Sequence, residues 1–447
     1  MRRVARFLTF VGPILVVLAL SKVHAAWVAD PPYDFTGSFR LPWAASYGAL
    51  LTLATYAVGL PDLARSARQS LASAALAAAS AAVGVSVLQL VVGDALLPRF
   101  VVFGAALGVV VLHVAVGTLA RGGRTRDEGR DRVVLVGSAA EAQRLVDDLA
   151  MAPERPAVLV AHVEAADAEA AAGTVHRPLI DRVIAEGASV VVLDRTAQLS
   201  EHVITQAAAL HEAGIRVRTL VQFYEEWFGK LPVAELERAS LFFDIGELHR
   251  LRYGRVKRLV DLAGALAGLV PLVLAVPFVL VGNLVGNRGP LLYRQLRVGR
   301  GGEPFEILKF RSMVPDGTGA GGTAWTARDD PRITPFGRFL RATHVDELPQ
   351  LLNILRGDLS LVGPRPEQPH YVVELSQKVP FYGMRHLVRP GLTGWAQVKY
   401  GYAGDEGDAL EKLQYEFFYL RHQSLRFDLR VMGRTVRSVA GSEGRGR

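Results

Sequence analysis

Asp346 and Glu347, adjacent in the run Val345-Asp346-Glu347-Leu348-Pro349-Gln350, are the residues whose types and setting point most directly to chemistry. The run is predicted to open a helix, because Pro349 is accommodated only within a first turn. A helix start attracts anions through its free N–H groups and macrodipole, yet this one carries two carboxylates of its own. Such a pair is a poor holder of phosphate unaided. It suits a division of labour in which one carboxylate binds a divalent cation and the other attacks phosphorus. Cationic residues stand on both sides in the sequence, Lys309-Phe310-Arg311 before the pair and Gly363-Pro364-Arg365-Pro366 after it. Carboxylates between cationic clusters imply chemistry on a nucleotide diphosphate. Taken alone, the pair also reads as a solvated acidic first turn, and only its surroundings favour the chemical account.

Consecutive residues on a helix point about 100° apart, so the two carboxylates are free to take different roles. Lys309 and Arg311 alternate with Phe310 on a predicted strand, which gives one charged and one packed face, and both are assigned to the substrate. Arg311 is assigned to a donor phosphate or to the nucleotide. Prolines on either side of Arg365 stiffen its backbone and hold the guanidinium ready to fork onto phosphate oxygens; a plain turn is the other account of that segment. In Arg389-Pro390-Gly391-Leu392-Thr393-Gly394-Trp395, Arg389 and Trp395 are candidates to contact a uridine or a sugar, and packing of Trp395 explains it equally well. Asp358, Glu367 and His370 are given supporting places around these groups.

The elements that must position these residues follow from composition. The chain has 447 residues, 50% of them hydrophobic, with a formal net charge of +8 and no cysteine. Its mean hydropathy of +0.23 is high for a water-soluble enzyme. The absence of cysteine excludes a disulfide framework and any thiolate metal site. No nucleic-acid-binding motif accompanies the positive charge, which anionic lipid headgroups and membrane-flanking loops account for. Four apolar stretches, at about 5–28, 43–60, 71–92 and 100–119, approach the roughly 20 residues that cross a bilayer core. Arg2, Arg3, Arg6, Arg65, Arg68, Arg121, Arg124, Arg126, Arg130 and Arg132 fall on alternate loops, which places both ends of the bundle in the cytoplasm. The first stretch is read as a retained anchor rather than a cleaved signal, since no convincing small-residue cleavage site precedes a soluble domain.

From residue 131 the pattern changes to short apolar strands, at 133–136, 157–161, 189–193 and 215–220, alternating with helical segments. This predicts a parallel α/β domain over 130–250. The strand-Gly137-helix start is Rossmann-like, but the full G-x-G-x-x-G is missing, which favours a structural or regulatory domain over a dinucleotide site. Residues 262–281 form a fifth apolar run without a charge. Basic residues flank it on both sides, and Pro271 and Pro277 interrupt it. A kinked helix that enters one leaflet and returns is expected over 262–285, with an ordinary fifth span as the alternative. After residue 408 an apolar stripe runs beside arginines, as in a helix at an anionic interface or one packed on its own domain.

The order of the motifs is distinctive: residues 289–313, then Asp346-Glu347, Asn353, Arg356-Gly357-Asp358, Gly363-Pro364-Arg365-Pro366 and Arg389 to Trp395. It closely resembles the bacterial sugar transferases, the monotopic polyprenyl-phosphate phosphoglycosyl transferases, over about 254–438. The upstream part resembles the large members of that family. The resemblance implies a membrane protein of three parts: an N-terminal four-helix transmembrane bundle (1–120), an α/β Rossmann-like middle domain (130–250), and an α/β catalytic domain (254–447) with a re-entrant membrane helix and interfacial amphipathic helices. It implies transfer of a sugar 1-phosphate from a UDP-sugar to undecaprenyl phosphate at the cytoplasmic face of the bacterial inner membrane, releasing UMP, as the first membrane step of exopolysaccharide or O-antigen synthesis. Asp346 matches the family's nucleophile and Glu347 its Mg²⁺ ligand. The lipid bilayer is then a partner, and a second copy of the chain is a candidate one. A membrane-bound nucleotide-sensing or scaffold protein is the competing class. Two departures from the family pattern stand out: Val276 precedes Pro277 where serine is usual, and His344-Val345 replaces a small polar residue and leucine before the acidic pair.

Because the chain has no native cysteine, topology is open to single-cysteine labelling. Val256→Cys and Arg300→Cys are expected to be blocked only by reagents that reach the cytoplasm. Reaction of the second position with an impermeant external reagent would defeat the re-entrant arrangement.

Overall fold

The protein is seen in a computed structural model that describes residues 2–57, 67–92, 96–121, 130–152, 157–169, 177–232, 248–286, 289–314, 332–400 and 406–440. The chain divides into two compact units, one made of residues 1–123, 249–409 and 423–447, the other of 124–248 and 410–422.

In the first unit, helices α1 (Arg2–Val23), α2 (Arg40–Ala57), α3 (Ala67–Val92) and α4 (Arg99–Arg121) pack together. Alanine, leucine and valine dominate them, so they carry helix propensity and apolar surface together. Val17, Tyr47, Leu51, Ala78, Ala81, Val101, Ala105 and Val109 form their shared core. Small residues let the backbones close on one another: a Cβ at Gly48 would stand 2.8 Å from Ile14 Cα. Apolar side chains also cover the outside, with Phe103, Leu107 and Val111 all exposed; helices apolar on every face suit lipid.

Among the described residues three helices are long and apolar enough to cross a membrane, Phe7–Val28, Arg99–Val116 and Tyr253–Leu284, and Leu71–Ser86 is a shorter apolar one. Of the four expected N-terminal spans, the first and fourth therefore meet that criterion. Arg40 with several hydroxyl side chains dilutes α2, and the side chains described for α3 cover only part of that helix. The second expected span runs past residue 57, and the arginine side chains at 2, 3, 6, 65, 68, 121, 124 and 126 also lie outside what is described.

The second unit holds β1 (Asp131–Val136), α5 (Ala139–Met151), β2 (Ala157–Val163), α6 (Pro178–Ala185), β3 (Val190–Leu193), α7 (Glu201–Glu212) and β4 (Arg216–Thr219). The four strands are parallel in the order β2-β1-β3-β4. Val133 to Val136 and Val190 to Val192 are fully buried, as central parallel strands covered on both faces require. At the start of α5, where a dinucleotide fold would receive a pyrophosphate, Glu141 fills the place itself. Its Oε2 accepts from Ser138 N and from Ser138 Oγ, both at 2.9 Å, while Ser138 Oγ accepts from Glu141 N. Asp194 stands beside it, 2.9 Å from where a Cβ on Gly137 would lie. The missing glycines thus have a physical counterpart in a helix start already occupied by carboxylate.

The remainder of the first unit carries α8 (Leu248–Gly286), the antiparallel pair β5 (Leu292–Val298) and β6 (Pro304–Phe310), α9 (Pro335–Ala342), α10 (Gln350–Arg356), β7 (Ser360–Val362), α11 (Pro369–Lys378) and β8 (Gly391–Thr393), the last parallel to β7. Helices α12 (Glu406–Arg421) and α13 (Leu425–Ala440) end the described chain. Helical structure continues through Pro271 and Pro277. One face of α8, marked by Ala265, Leu272 and Val279, shares a core with Ile307, Phe310, Leu340, Leu351, Ile354 and Leu359. A Cβ at Gly264, Gly268 or Gly282 would strike Leu361, Leu351 or Phe336. Leu266, Val273, Leu274, Val281 and Leu284 stay exposed on the rest of the helix. Both flanks of the apolar run are thereby attached to the same domain.

Residues 410–422 cluster with the α/β unit, because Lys230, almost wholly buried, donates 2.9 Å to Asp148 Oδ1 and 2.7 Å to Glu411 Oε1, and Leu231 N donates to Gln414 O. The stripe after residue 408 also resolves toward packing: Leu413, Phe417, Leu420, Phe427 and Val431 are buried. Removing one partner from a buried ion pair costs about 3–5 kcal/mol. Lys230→Met is therefore expected to lower the thermal midpoint of the detergent-solubilised protein clearly, and a melt unchanged within error would remove this pairing as a support of the unit.

Candidate active site

Asp346 and Glu347 do not open a regular helix. They lie in a single 3₁₀ turn, Val345–Glu347, and Pro349 is the residue just before α10. Expectation and structure differ because His344 turns the chain left-handed (φ 57°) between α9 and the pair. The turn is closed by Glu347 N donating to His344 O at 3.1 Å and Leu348 N donating to Val345 O at 3.2 Å.

The strand beneath the site is set by Asn353, which has no exposed surface. Its Oδ1 accepts from Leu308 N at 3.0 Å, and its Nδ2 donates to Glu306 O at 2.7 Å and to Asp358 Oδ2 at 3.1 Å. This locks β6 against α10. Leu308 and Phe310 then point into the core, and the alternation of a strand sends Lys309 the other way. Lys309 Nζ donates to Glu347 Oε1 at 2.8 Å.

Arg365 reaches the same oxygen, its Nη2 donating at 3.2 Å. The extended segment that carries it is pinned at successive carbonyls. Gly391 N donates to Pro364 O, Arg385 Nη2 to Arg365 O at 2.8 Å, and Arg297 Nη1 to Pro366 O at 3.0 Å. Val298 N donates to Glu367 O, and Arg297 pairs with the Glu367 carboxylate. Arg365 therefore owes its direction to backbone clamps as well as to its prolines.

The two carboxylates end up in different states. Burial opposes charge on Glu347, but Lys309 and Arg365 outweigh it and hold the group well below the usual carboxylate range. Asp346 is 8% exposed and accepts no hydrogen bond among the described residues. Burial pushes it up to about 6; Lys309 draws it down, Glu347 raises it further, and Arg341 and His344 draw it down. Its carboxyl group is desolvated, with no hydrogen-bond donor among the described residues. One carboxylate is neutralised in place by two cations, and its neighbour is not.

The other expected site residues make contacts of their own. Arg311 is buried, its Nε donating to Pro290 O at 2.9 Å and its guanidinium lying where a Cβ on Gly289 would stand. Trp395 is 5% exposed, edge-on to Phe427 at 4.9 Å, with Arg434 and Lys399 over its ring. These contacts agree with the packing account of the residue. Arg389 is half-buried; burial lowers its pKa, and the nearby Arg258 and Arg300 lower it further. His370 lies against Tyr371, with ring centroids 3.9 Å apart. Arg341 and His344, which bear on Asp346, were not singled out as site residues. The available signal was a basic residue in the last turn before the pair and a histidine at an unusual position.

The bacterial sugar transferase family model matches residues 252–442. The chain is 42% identical over 199 residues to a UDP-glucose:undecaprenyl-phosphate glucose-1-phosphate transferase of Caulobacter vibrioides, covering 43% of this chain and 73% of that protein. The chain belongs to the bacterial sugar transferase family. The transferase segment is also 40% identical over 191 residues to a UDP-N-acetylgalactosamine-undecaprenyl-phosphate N-acetylgalactosaminephosphotransferase of Aeromonas hydrophila, covering 42% of this chain and 44% of the relative. It is 41% identical over 183 residues to a glucose-1-phosphate transferase of Xanthomonas campestris, covering 40% and 37%. The match spans well under half the length of these last two proteins.

Among the described residues no group of three or more His, Cys, Asp or Glu side chains could hold a metal ion. Mg²⁺ does not need such a cage, since it binds through one or two carboxylates together with substrate phosphates and water. Both ion pairs of Glu347 fall on Oε1, so its second oxygen fits that use.

A raised carboxyl value means that the fold favours the uncharged form of Asp346. The stability it contributes is complete below the ordinary aspartate range and is lost as pH rises through about 6. Asp346→Asn is accordingly expected to be more stable than the parent at pH 7.5, by about 1–3 kcal/mol, with the advantage shrinking toward pH 4.5. Thermal melts across that range check it, and a variant that melts lower at pH 7.5 contradicts it.

Proposed function

We propose that this chain transfers a sugar 1-phosphate from a UDP-sugar to undecaprenyl phosphate through a covalent phosphosugar on Asp346. The carrying observation is the unequal pair: Glu347 bound by Lys309 and Arg365, Asp346 buried beside it and accepting no hydrogen bond among the described residues. The names of the relatives support the same donor and acceptor classes. An Asp346 oxygen forms a bond to the β-phosphorus, and the bond from that phosphorus to the UMP oxygen breaks, its electron pair leaving with UMP. An oxygen of undecaprenyl phosphate then attacks the same phosphorus and frees the aspartate. The Lys309–Glu347–Arg365 group sets the cationic field in which the phosphoryl oxygens sit. Glu347 would hold Mg²⁺, which when bound supplies neutralisation of the diphosphate charge.

The reading extends to the setting. The exposed apolar face of α8, with both flanks of the run attached to one domain, supports a helix that enters and returns rather than crosses. The apolar outer face of the N-terminal helices supports a multi-pass protein of the bacterial inner membrane, with the catalytic domain in the cytoplasm. The product would begin an exopolysaccharide or O-antigen unit.

Incubation of the whole protein with radiolabelled UDP-sugars, undecaprenyl phosphate and Mg²⁺ should yield labelled lipid and UMP. Asp346→Asn is expected to abolish turnover in a protein that still folds, and Glu347→Gln to be rescued poorly by excess Mg²⁺. Retained turnover in the first variant eliminates the covalent route. Silence of the parent protein with every donor favours the scaffold reading.

A further inference from the structure

We propose that His344 is a further catalytic residue, donating a hydrogen bond from its imidazole to the phosphoryl oxygens during transfer to Asp346. The proposal rests on the phosphosugar transfer set out above and adds a group which that scheme leaves idle.

The first observation is the backbone. His344 adopts φ 57°, ψ 14°, and Phe381 is the one other non-glycine residue with positive φ among those described. For a residue with a Cβ this conformation costs about 1 kcal/mol or more, and glycine or asparagine is the inexpensive solution. Such strain persists where surrounding structure imposes it, and it gathers at functional sites. Here the closing hydrogen bonds impose it: His344 N donates to Arg341 O at 3.2 Å, and Glu347 N to His344 O at 3.1 Å. These bonds need only the main chain, so they explain the turn and not the imidazole.

The second observation is the ring. His344 Nδ1 is buried and has no hydrogen-bond partner, and no bond to Nε2 is made among the described residues. A histidine kept for packing normally satisfies its buried nitrogen. A neutral imidazole carries one N–H. Placing it on the sealed nitrogen would strand a donor, which is the rarer and costlier fault. On the neutral ring the proton therefore belongs on Nε2, as a donor with no partner among the described residues.

The third observation is the inventory of donors. His344 immediately precedes the turn that carries Asp346 and Glu347, and its O accepts from Glu347 N at 3.1 Å. Lys309 and Arg365 are committed to Glu347, and Arg341 Nη1 lies 3.7 Å from Met313 Sδ. When the Asp346–phosphorus bond forms and the phosphorus–UMP bond breaks, charge is spread over the phosphoryl oxygens. An unengaged N–H at residue 344 fits that charge. No proton changes hands in the step; the hydrogen bond strengthens as the transition state is reached.

The test compares His344→Gly and His344→Asn in the full chain, using the labelled-lipid assay and thermal melts. Glycine relieves the backbone and removes the donor, so it should melt no lower than the parent while kcat falls about 100-fold and KM for the UDP-sugar stays within about threefold. Asparagine tolerates the same backbone and supplies an amide N–H, so it should recover most of the lost kcat. A glycine variant with parental kcat overturns the proposal and leaves the transfer chemistry standing. Equal loss in both variants, with lowered melting, makes His344 structural and overturns it too. If the parent protein transfers nothing from any donor, both readings fall together.

Discussion

The site depends on one oxygen atom, Oε1 of Glu347, held between Lys309 and Arg365. Two adjacent carboxylates in a buried turn repel each other, and burial penalises both charges. Giving both cations to one of them settles the conflict unequally. Glu347 becomes a fixed, neutralised element of the scaffold, while Asp346 carries the remaining electrostatic cost as raised basicity and a bare carboxylate. The same arrangement gathers three chain segments, because Lys309 comes from β6, Glu347 from the turn before α10, and Arg365 from the pinned stretch after β7.

Most of the supporting structure keeps that convergence in register. Asn353 ties β6 to α10, and Arg385 and Arg297 hold the carbonyls of Arg365 and Pro366. At the base of α8, Arg258 donates to Ile354 O and Leu355 O at the end of α10. Asp261, buried in the same helix, accepts from Ser360 Oγ and Leu361 N, both at 3.0 Å. The apolar helix is thus bolted to α10 and β7, the elements next to the turn of Glu347 and the stretch of Arg365.

Much of this was legible in the sequence, for reasons specific to each part. Strand-helix alternation in the middle domain is a strong periodic signal, and the strands at 131–136, 157–163, 190–193 and 216–219 fall within a few residues of where alternation puts them. Lys309 was readable as the outward residue between two apolar neighbours, and its meeting with Glu347 required only one strand and one turn. Arg311, two residues on, obeys the same parity, yet the strand ends at Phe310 and the chain turns its guanidinium under Gly289. Trp395 could not be resolved from spacing, since a buried and a stacking indole have the same neighbours in sequence. The carbonyl clamps on residues 364–366 depend on contacts with segments distant in the chain, which local pattern does not encode, and the left-handed turn at His344 puts a residue with a Cβ where local pattern favours glycine or asparagine.

The last two helices carry a consequence of their own. Residues 410–422 cluster with the α/β unit, while α13 returns to the other one, so the boundary between units falls in the three residues after α12. The chain visits the α/β unit twice and leaves it twice. A fragment cut to the length of the family match alone would keep Glu411 and discard the Lys230 ammonium that compensates it. Domain dissection at residue 250, natural for a chain that looks modular from its N-terminus, would hence strand a carboxylate in the tail of the supposedly independent enzyme. Modularity here is a property of the polypeptide's order and not of its packing.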